Sequence, residues 1–279
     1  MKKSTTTALF PILVALSELR TNWQVDEFLG FTEDQKFLLS LMKIAHGVEF
    51  DQDQIKTLVS KDINAINRFL KENGFDIALN GPIDLGVATI MDLVGQWLEK
   101  ANEASVNNNG ISYPAALVKS GIATSIVSLE GNMVIKINTT GNLTVFIEPN
   151  ATERSGLDLF KHILAQSNTC SFKSSSSEVI IPMVSMNETP DINWMVGIKT
   201  VGNIDFTISE AVQQNKFKLN CDGVHAESAV ALGLRKCVSV CKDEIVIDEP
   251  FNLWISGTDA NGEYFPLFGA YLATDSWEK

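Results

Sequence analysis

Val134-Ile135-Lys136-Ile137, then Asn138-Thr139-Thr140-Gly141, then Leu143-Thr144-Val145-Phe146-Ile147: this stretch decides how the chain reads. Two short runs rich in β-branched and aromatic residues flank a polar turn containing Asn and Gly, the signature of a β-hairpin. Neither run is long enough for an ordinary helix, and Val and Ile suit a pleated backbone. An isolated hairpin is marginal in water, so further strands must cover its apolar face. The sequence on its C-terminal side supplies candidates: Glu178-Val179-Ile180-Ile181-Pro182 and Phe217-Lys218-Leu219. A closing pair follows over 251–255 and 266–272, around a turn with Asn261-Gly262. Short helices are expected over 157–164 and 192–201.

Upstream of the hairpin the period lengthens. Lys2 and Lys3 precede an apolar run from Ala8 to Leu16, read as a first helix with Thr5 to Thr7 as candidate caps and Pro11 near its start. Thr32-Glu33-Asp34-Gln35 is a capping box, opening a helix that carries Phe37, Leu38, Leu41, Met42 and Ile44 and stops at Gly47. Ser60 is a candidate cap for another, with Ile63, Ile66, Phe69 and Leu70 at helical spacing and Gly74 at its end. Asn80-Gly81-Pro82 reads as a turn. Val87, Ile90, Met91, Val94, Trp97 and Leu98 then fall on one face of a further helix, and Ala101 to Gly110 reads as a polar connector. These readings predict an α+β protein. Its helical N-terminal part (1–105) leads into a mixed or antiparallel β-sheet region (106–279), the two packed as one compact unit.

Composition narrows the function classes. The 279 residues carry 34 acidic against 22 basic side chains, a net charge of −12. No basic stripe is available to neutralise phosphates, so nucleic acid is not an expected partner. No apolar run reaches the length of a membrane-spanning helix, so no membrane is expected either. Cys170, Cys221, Cys237 and Cys241 lack the paired spacing of a structural zinc site and are too sparse for a disulfide scaffold. Reduced thiols and an uncleaved first helix point to the cytoplasm; secretion is the alternative, with the Ala8–Leu16 segment acting as a signal. Phosphate-loop, dinucleotide-binding and nucleophile-elbow motifs are absent. His46, His162 and His225 show no ligand spacing, and Asp51-Gln52-Asp53 lacks the glycine a calcium loop needs at Lys56. The expectation is a non-enzyme with no metal and no cofactor; an enzyme with a dispersed site is the outlying alternative.

Four stretches, in order, carry a family resemblance. They are Asn142–Pro149 before a helix; Val179–Met186 with Asp191-Ile192 and Gly197-Ile198; Ile208–Gln214 up to Asp222-Gly223; and Pro250–Ile255 with Pro266–Tyr271. Together, over about residues 125–279, they resemble a serpin (serine protease inhibitor), shortened and divergent. The resemblance implies that Gly223-Val224-His225-Ala226-Glu227-Ser228-Ala229 is the hinge of a reactive loop, with Gly223, Val224, Ala226, Ser228 and Ala229 as its small or inward positions. It also implies a reactive centre among Arg235, Lys236, Cys237, Val238 and Ser239, with Arg235 or Lys236 the scissile residue for a trypsin-like protease. In serpins the cut loop enters the middle of a sheet, releasing stored strain and trapping the protease.

The departures have consequences of their own. Gln213-Gln214 stand where the family has His-Lys, Cys221 replaces an acidic residue, and Glu227 places a charge in the hinge. Early strands of the receiving sheet are missing from the pattern. A serpin-like, non-enzymatic protein that binds another protein or serves a structural role without trapping is therefore the first expectation. A working inhibitor of a trypsin-like protease through Arg235-Lys236 is the alternative. The partner is a protease or another protein, and an incomplete sheet beside an exposed loop offers an edge for self-association.

Overall fold

The structure, a computed structural model, describes residues 3–49, 52–128, 133–202, 205–225, 244–259 and 261–279. In chain order the N-terminal part holds Thr5–Thr7 (β1), Phe10–Trp23 (α1), Val25–Leu29 (β2), Glu33–Ala45 (α2), Val48–Glu49 (β3), Ile55–Ser60 (β4), Ile63–Glu72 (α3), Gly86–Met91 (β5) and Val94–Gln96 (β6). Then come Asn102–Asn108 (β7), Ile111–Val118 (β8), Ala123–Ser128 (β9), Met133–Asn138 (β10), Thr144–Glu148 (β11), Gly156–Thr169 (α4) and Cys170–Ser176 (β12). The remainder comprises Glu178–Pro182 (β13), Val184–Glu188 (β14), Lys199–Gly202 (β15), Asn215–Asn220 (β16), Gly223–His225 (β17), Glu244–Val246 (β18), Phe251–Asp259 (β19) and Tyr264–Leu272 (β20).

The predicted hairpin is β10–β11, in register from Ile135↔Ile147 to Asn138↔Thr144. It sits at the heart of the largest sheet, ordered β1-β20-β19-β11-β10-β9-β12, with β3 added to β19. Every residue of β11 is buried, so this strand is sandwiched rather than half-solvated. Phe146 stacks on Trp254 of the neighbouring β19 with centroids 5.3 Å apart, and Phe10 of α1 and Phe160 of α4 both pack against Phe265. Each fully buried large apolar side chain of this kind stabilises the fold by about 1.5–3 kcal/mol. One apolar cluster runs from Ala8 to Trp277 through this sheet, α1, α2 and α4. A smaller one joins Ile66 and Leu70 of α3 to Ala88 and Ile90 of β5.

Two further four-stranded sheets follow the orders β18-β13-β8-β7 and β14-β16-β17-β6. The first contains a parallel pair, β13–β18. In the second, β17 lies between β16 and β6. The pairs β15–β2 and β4–β5 complete the strands. The result is an α+β architecture.

Local expectations fare unevenly. The Thr32 capping box is present: Thr32 Oγ1 accepts from the Gln35 amide at 3.2 Å, and Gln35 Oε1 accepts from the Thr32 amide at 3.3 Å. The cap of α3 is Asp62 rather than Ser60; its carboxylate accepts from the Asn64 amide at 2.9 Å. Thr5 to Thr7 do not cap α1 but pair with β20.

Three segments are corrected. Val87 to Leu98 is not a helix but β5 and β6, since the β-branched Val87, Thr89 and Ile90 pair with β4 from Ile55↔Met91 to Ser60↔Gly86. Ala101 to Gly110 is not a loop. It is β7 turning on Asn109 (φ 50°) and Gly110 (φ 81°) into β8, a two-residue turn whose left-handed backbone suits Asn-Gly. Residues 192–201 hold a single turn, Asn193–Met195, broken by Gly197 at φ 94°, and then β15.

Candidate functional site

The candidate site is built on β17, whose Gly223 and Val224 open the segment expected from the sequence as a hinge. Asn220 ends β16, and its side-chain oxygen accepts from the Asp222 amide at 2.8 Å and the Gly223 amide at 3.3 Å. This local turn, of a kind Asn favours, reverses the chain so that β17 pairs back on β16: Asn220↔Gly223, Leu219↔Val224, Lys218↔His225. The other edge of β17 pairs with β6: Gly223↔Gln96, Val224↔Gly95, His225↔Val94. Gly223 and Val224 thus belong to a central strand, hydrogen-bonded on both sides. Val224 is 1% exposed.

Gly223 is required there. Its φ is 152°, and a Cβ would clash with the Gly95 carbonyl oxygen and with Gln96 Cα. Gly95 is nearly as constrained, since a Cβ on it would approach Val224 Cγ2 at 3.0 Å and Thr139 Cγ2 at 3.2 Å. The segment after β6 staples the turn: Trp97 donates its amide to Asp222 O (3.0 Å) and its indole N–H to Asn220 O (3.1 Å). The Ala101 amide donates to Cys221 O at 2.9 Å. Lys100 and Asp222 form an ion pair at 2.7 Å, and this raises the lysine above its ordinary pKa. Cys221 is buried, and burial together with the nearby Glu103 pushes its thiol up, so it is no activated nucleophile.

Ala226, Glu227, Ser228, Ala229 and the reactive-centre candidates Arg235, Lys236, Cys237, Val238 and Ser239 lie outside the described residues. Of the predicted hinge, Gly223 and Val224 are placed. The chain is described again from Glu244, where β18 pairs with β13 in a different sheet. The two ends of the interval are therefore anchored in separate sheets.

Residues 205–214, the approach to β16, line one space together with β5. Side chains of that approach are tied to the connection between α3 and β5. Gln214 Oε1 accepts from the Asp76 amide (2.8 Å) while its Nε2 donates to Asn187 Oδ1 (2.7 Å). The Lys216 ammonium donates to the Gly74 carbonyl and lies 5.2 Å from the Phe75 ring centre. The Glu210 carboxylate accepts from the amides of Asn80 (3.0 Å) and Gly81 (3.1 Å). Burial tends to raise that carboxyl, but the donors from Gly81 and Asn80 prevail and hold it below its ordinary value. Gln213 donates to Ala8 O at 2.7 Å. The two glutamines that stand in place of His-Lys are thus buried neutral amides with defined partners. The sequence flagged Asn80-Gly81-Pro82 as a turn and Gln213-Gln214 as a departure, but nothing in it joined the two, because they meet only through the fold.

Among the described residues no set of three His, Cys, Asp or Glu could hold a metal ion. His162 is occupied with Glu148, at 2.7 Å. Among the described residues no helix is long and apolar enough to cross a membrane.

No protein-family model matches the sequence, and no curated protein matches it. Solved structures do match. A serpin from Schistosoma mansoni superposes with a TM-score of 0.60 at 12% identity, over 97% of this chain and 95% of the other. Mouse protein-Z dependent protease inhibitor gives 0.55 at 13%, over 98% and 91%. Human thyroxine-binding globulin, in complex with its hormone, gives 0.55 at 11%, over 96% and 91%. The likeness that the sequence carried only from about residue 125 extends through the N-terminal part, and the chain has a serpin-like fold.

Proposed function

We propose that this chain is a serpin-like binding protein that engages another protein without the protease-trapping step, and that it is not an enzyme. The fold alone favours neither trapping nor its absence, since its neighbours include a protein named for protease inhibition and one named for thyroxine binding. The observation that carries the reading is the seating of Gly223 and Val224 between β16 and β6 in the uncut chain. Trapping draws on free energy released when the hinge enters a sheet after cleavage. Here the first ladder positions are filled and Val224 is already buried, so that part of the driving force is spent beforehand. Advancing further would also require breaking the Gln214–Asp76, Lys216–Gly74 and Glu210–Asn80/Gly81 contacts. Each is a hydrogen bond with a net worth of about 1 kcal/mol, more where charged.

The test is incubation with a slight deficit of trypsin followed by a denaturing gel. The reading expects cleaved chain, active trypsin and no band at the summed mass. A band at the summed mass that survives boiling would establish trapping, and loss of that band in the Arg235→Ala/Lys236→Ala double variant would assign the reactive centre to those residues.

A further inference from the structure

We propose that the cavity bounded by α1, β5, the α3–β5 connection and residues 205–214 is a binding site for an uncharged, mainly apolar small molecule. The cavity measures about 590 Å³, within the range of sites that enclose drug-sized ligands. It lies where the two apolar clusters of the molecule meet. Leu16, Leu19 and Trp23 of α1 face it from the main cluster; Ile66, Leu70 and Phe75 face it from the α3 side. Protein interiors otherwise pack to the density of organic crystals. Apolar walls beside a void forfeit the dispersion contacts that an apolar occupant would restore.

The charges select against anions. Asp84 and Asp205 are exposed on the lining and Glu210 is half-buried there, so a carboxylate or phosphate would meet like charge. The nearby cations are engaged: Lys216 by the Gly74 carbonyl and the Phe75 ring, Lys61 over the Trp23 ring at 4.9 Å. The lining amides of Gln213 and Gln214 are held by Ala8, Asp76 and Asn187. Most of the lining is apolar and aromatic, with Trp23 and Phe206 meeting edge-to-face at centroids 6.3 Å apart. The inference rests on the reading that the loop does not advance, because an inserted strand would pass along the same residues of β5 and 205–214. Loss of probe binding only after trypsin cleavage would count against that reading, whereas an intact chain that binds no probe overturns this proposal alone.

The test is a fluorescence titration of the full chain with N-phenyl-1-naphthylamine, a neutral two-aromatic probe, alongside its anionic counterpart 8-anilinonaphthalene-1-sulfonate. Saturable binding at one site per chain is expected, with a melting temperature that climbs with probe concentration. The anion should bind at least roughly tenfold more weakly, since it meets the same acidic lining. Ala15→Trp, from a half-buried lining position on α1, should weaken the neutral probe at least about tenfold by filling the space. Leu98→Ser, at an exposed apolar residue away from the cavity, should leave binding unchanged. If Ala15→Trp melts without cooperativity, Thr89→Trp approaches the same space from β5. Non-saturable binding, undiminished binding in a folded filling variant, or loss of binding in Leu98→Ser overturns the proposal. So does a dimer by light scattering that disappears on filling the cavity, which would give the space to a second copy.

Discussion

Gly223 concentrates the geometry of β17 into one position. With φ at 152° and the Gly95 carbonyl where a Cβ would go, alanine has no place to stand. Gly223→Ala should lower stability to denaturant by about 2 kcal/mol, within the range for a strained backbone site, and speed hydrogen exchange in β6 and β16. Unchanged exchange there would mean that β17 is not held as described. A second residue-scale prediction concerns Glu148, 6% exposed in the core sheet. Burial by itself would raise its carboxyl. The hydrogen bonds from His162 and Asn252, each 2.7 Å, and the His162 and Arg154 charges outweigh that and hold it below its ordinary value. A depressed carboxyl binds its proton more readily in the unfolded chain. Its stabilisation is therefore complete above the ordinary carboxylate range and is lost as pH falls through the folded value. Urea midpoints should decline below about pH 4.5, less steeply in Glu148→Gln. At neutral pH, Glu148→Ala should cost about 3 kcal/mol, because it leaves His162 and Asn252 without their buried acceptor.

At the scale of elements, what was legible depended on how local the signal is. The Thr32 box is a four-residue device and is present; Thr32→Ala should cost about 1 kcal/mol, measured by thermal unfolding. The β10–β11 hairpin and the β19–β20 pair were equally readable, because alternation and a nearby turn specify them. Val87 to Leu98 misled for a tertiary reason. Its apolar spacing fits one helical face, but β4 offers six partners in register and α3 covers Ala88 and Ile90, so the strand wins. In β7, polar Asn residues masked a strand whose inward face needs only Ala104 and Val106, the latter 1% exposed. There the Asn109-Gly110 pair was the usable signal. The pairing of Gly223 and Val224 with β6 was not readable, since β6 lay inside the segment read as a helix. The latches from Gln214 and Glu210 to residues 76–81 span more than 125 positions, and no local pattern announces them.

For the whole molecule, the sequence likeness began near residue 125, while the structural one covers 96–98% of the chain. Short strands whose identity lies in sheet order leave faint sequence marks, so the N-terminal part became recognisable only once its strands were placed. The proposed function requires that Gly223 and Val224 are seated before any cut and that the chain beyond them advances no further afterwards. Thermal unfolding of the intact chain and of the chain cut by trypsin tests it most directly, because insertion of a cut loop would add a buried strand to the sheet. Melting temperatures within about 2–4 °C of each other are expected, the shift of roughly 1 kcal/mol in a chain of this size. A cut chain melting about 20 °C or more above the intact one, equivalent to several kcal/mol, would contradict it and restore insertion as the working mechanism.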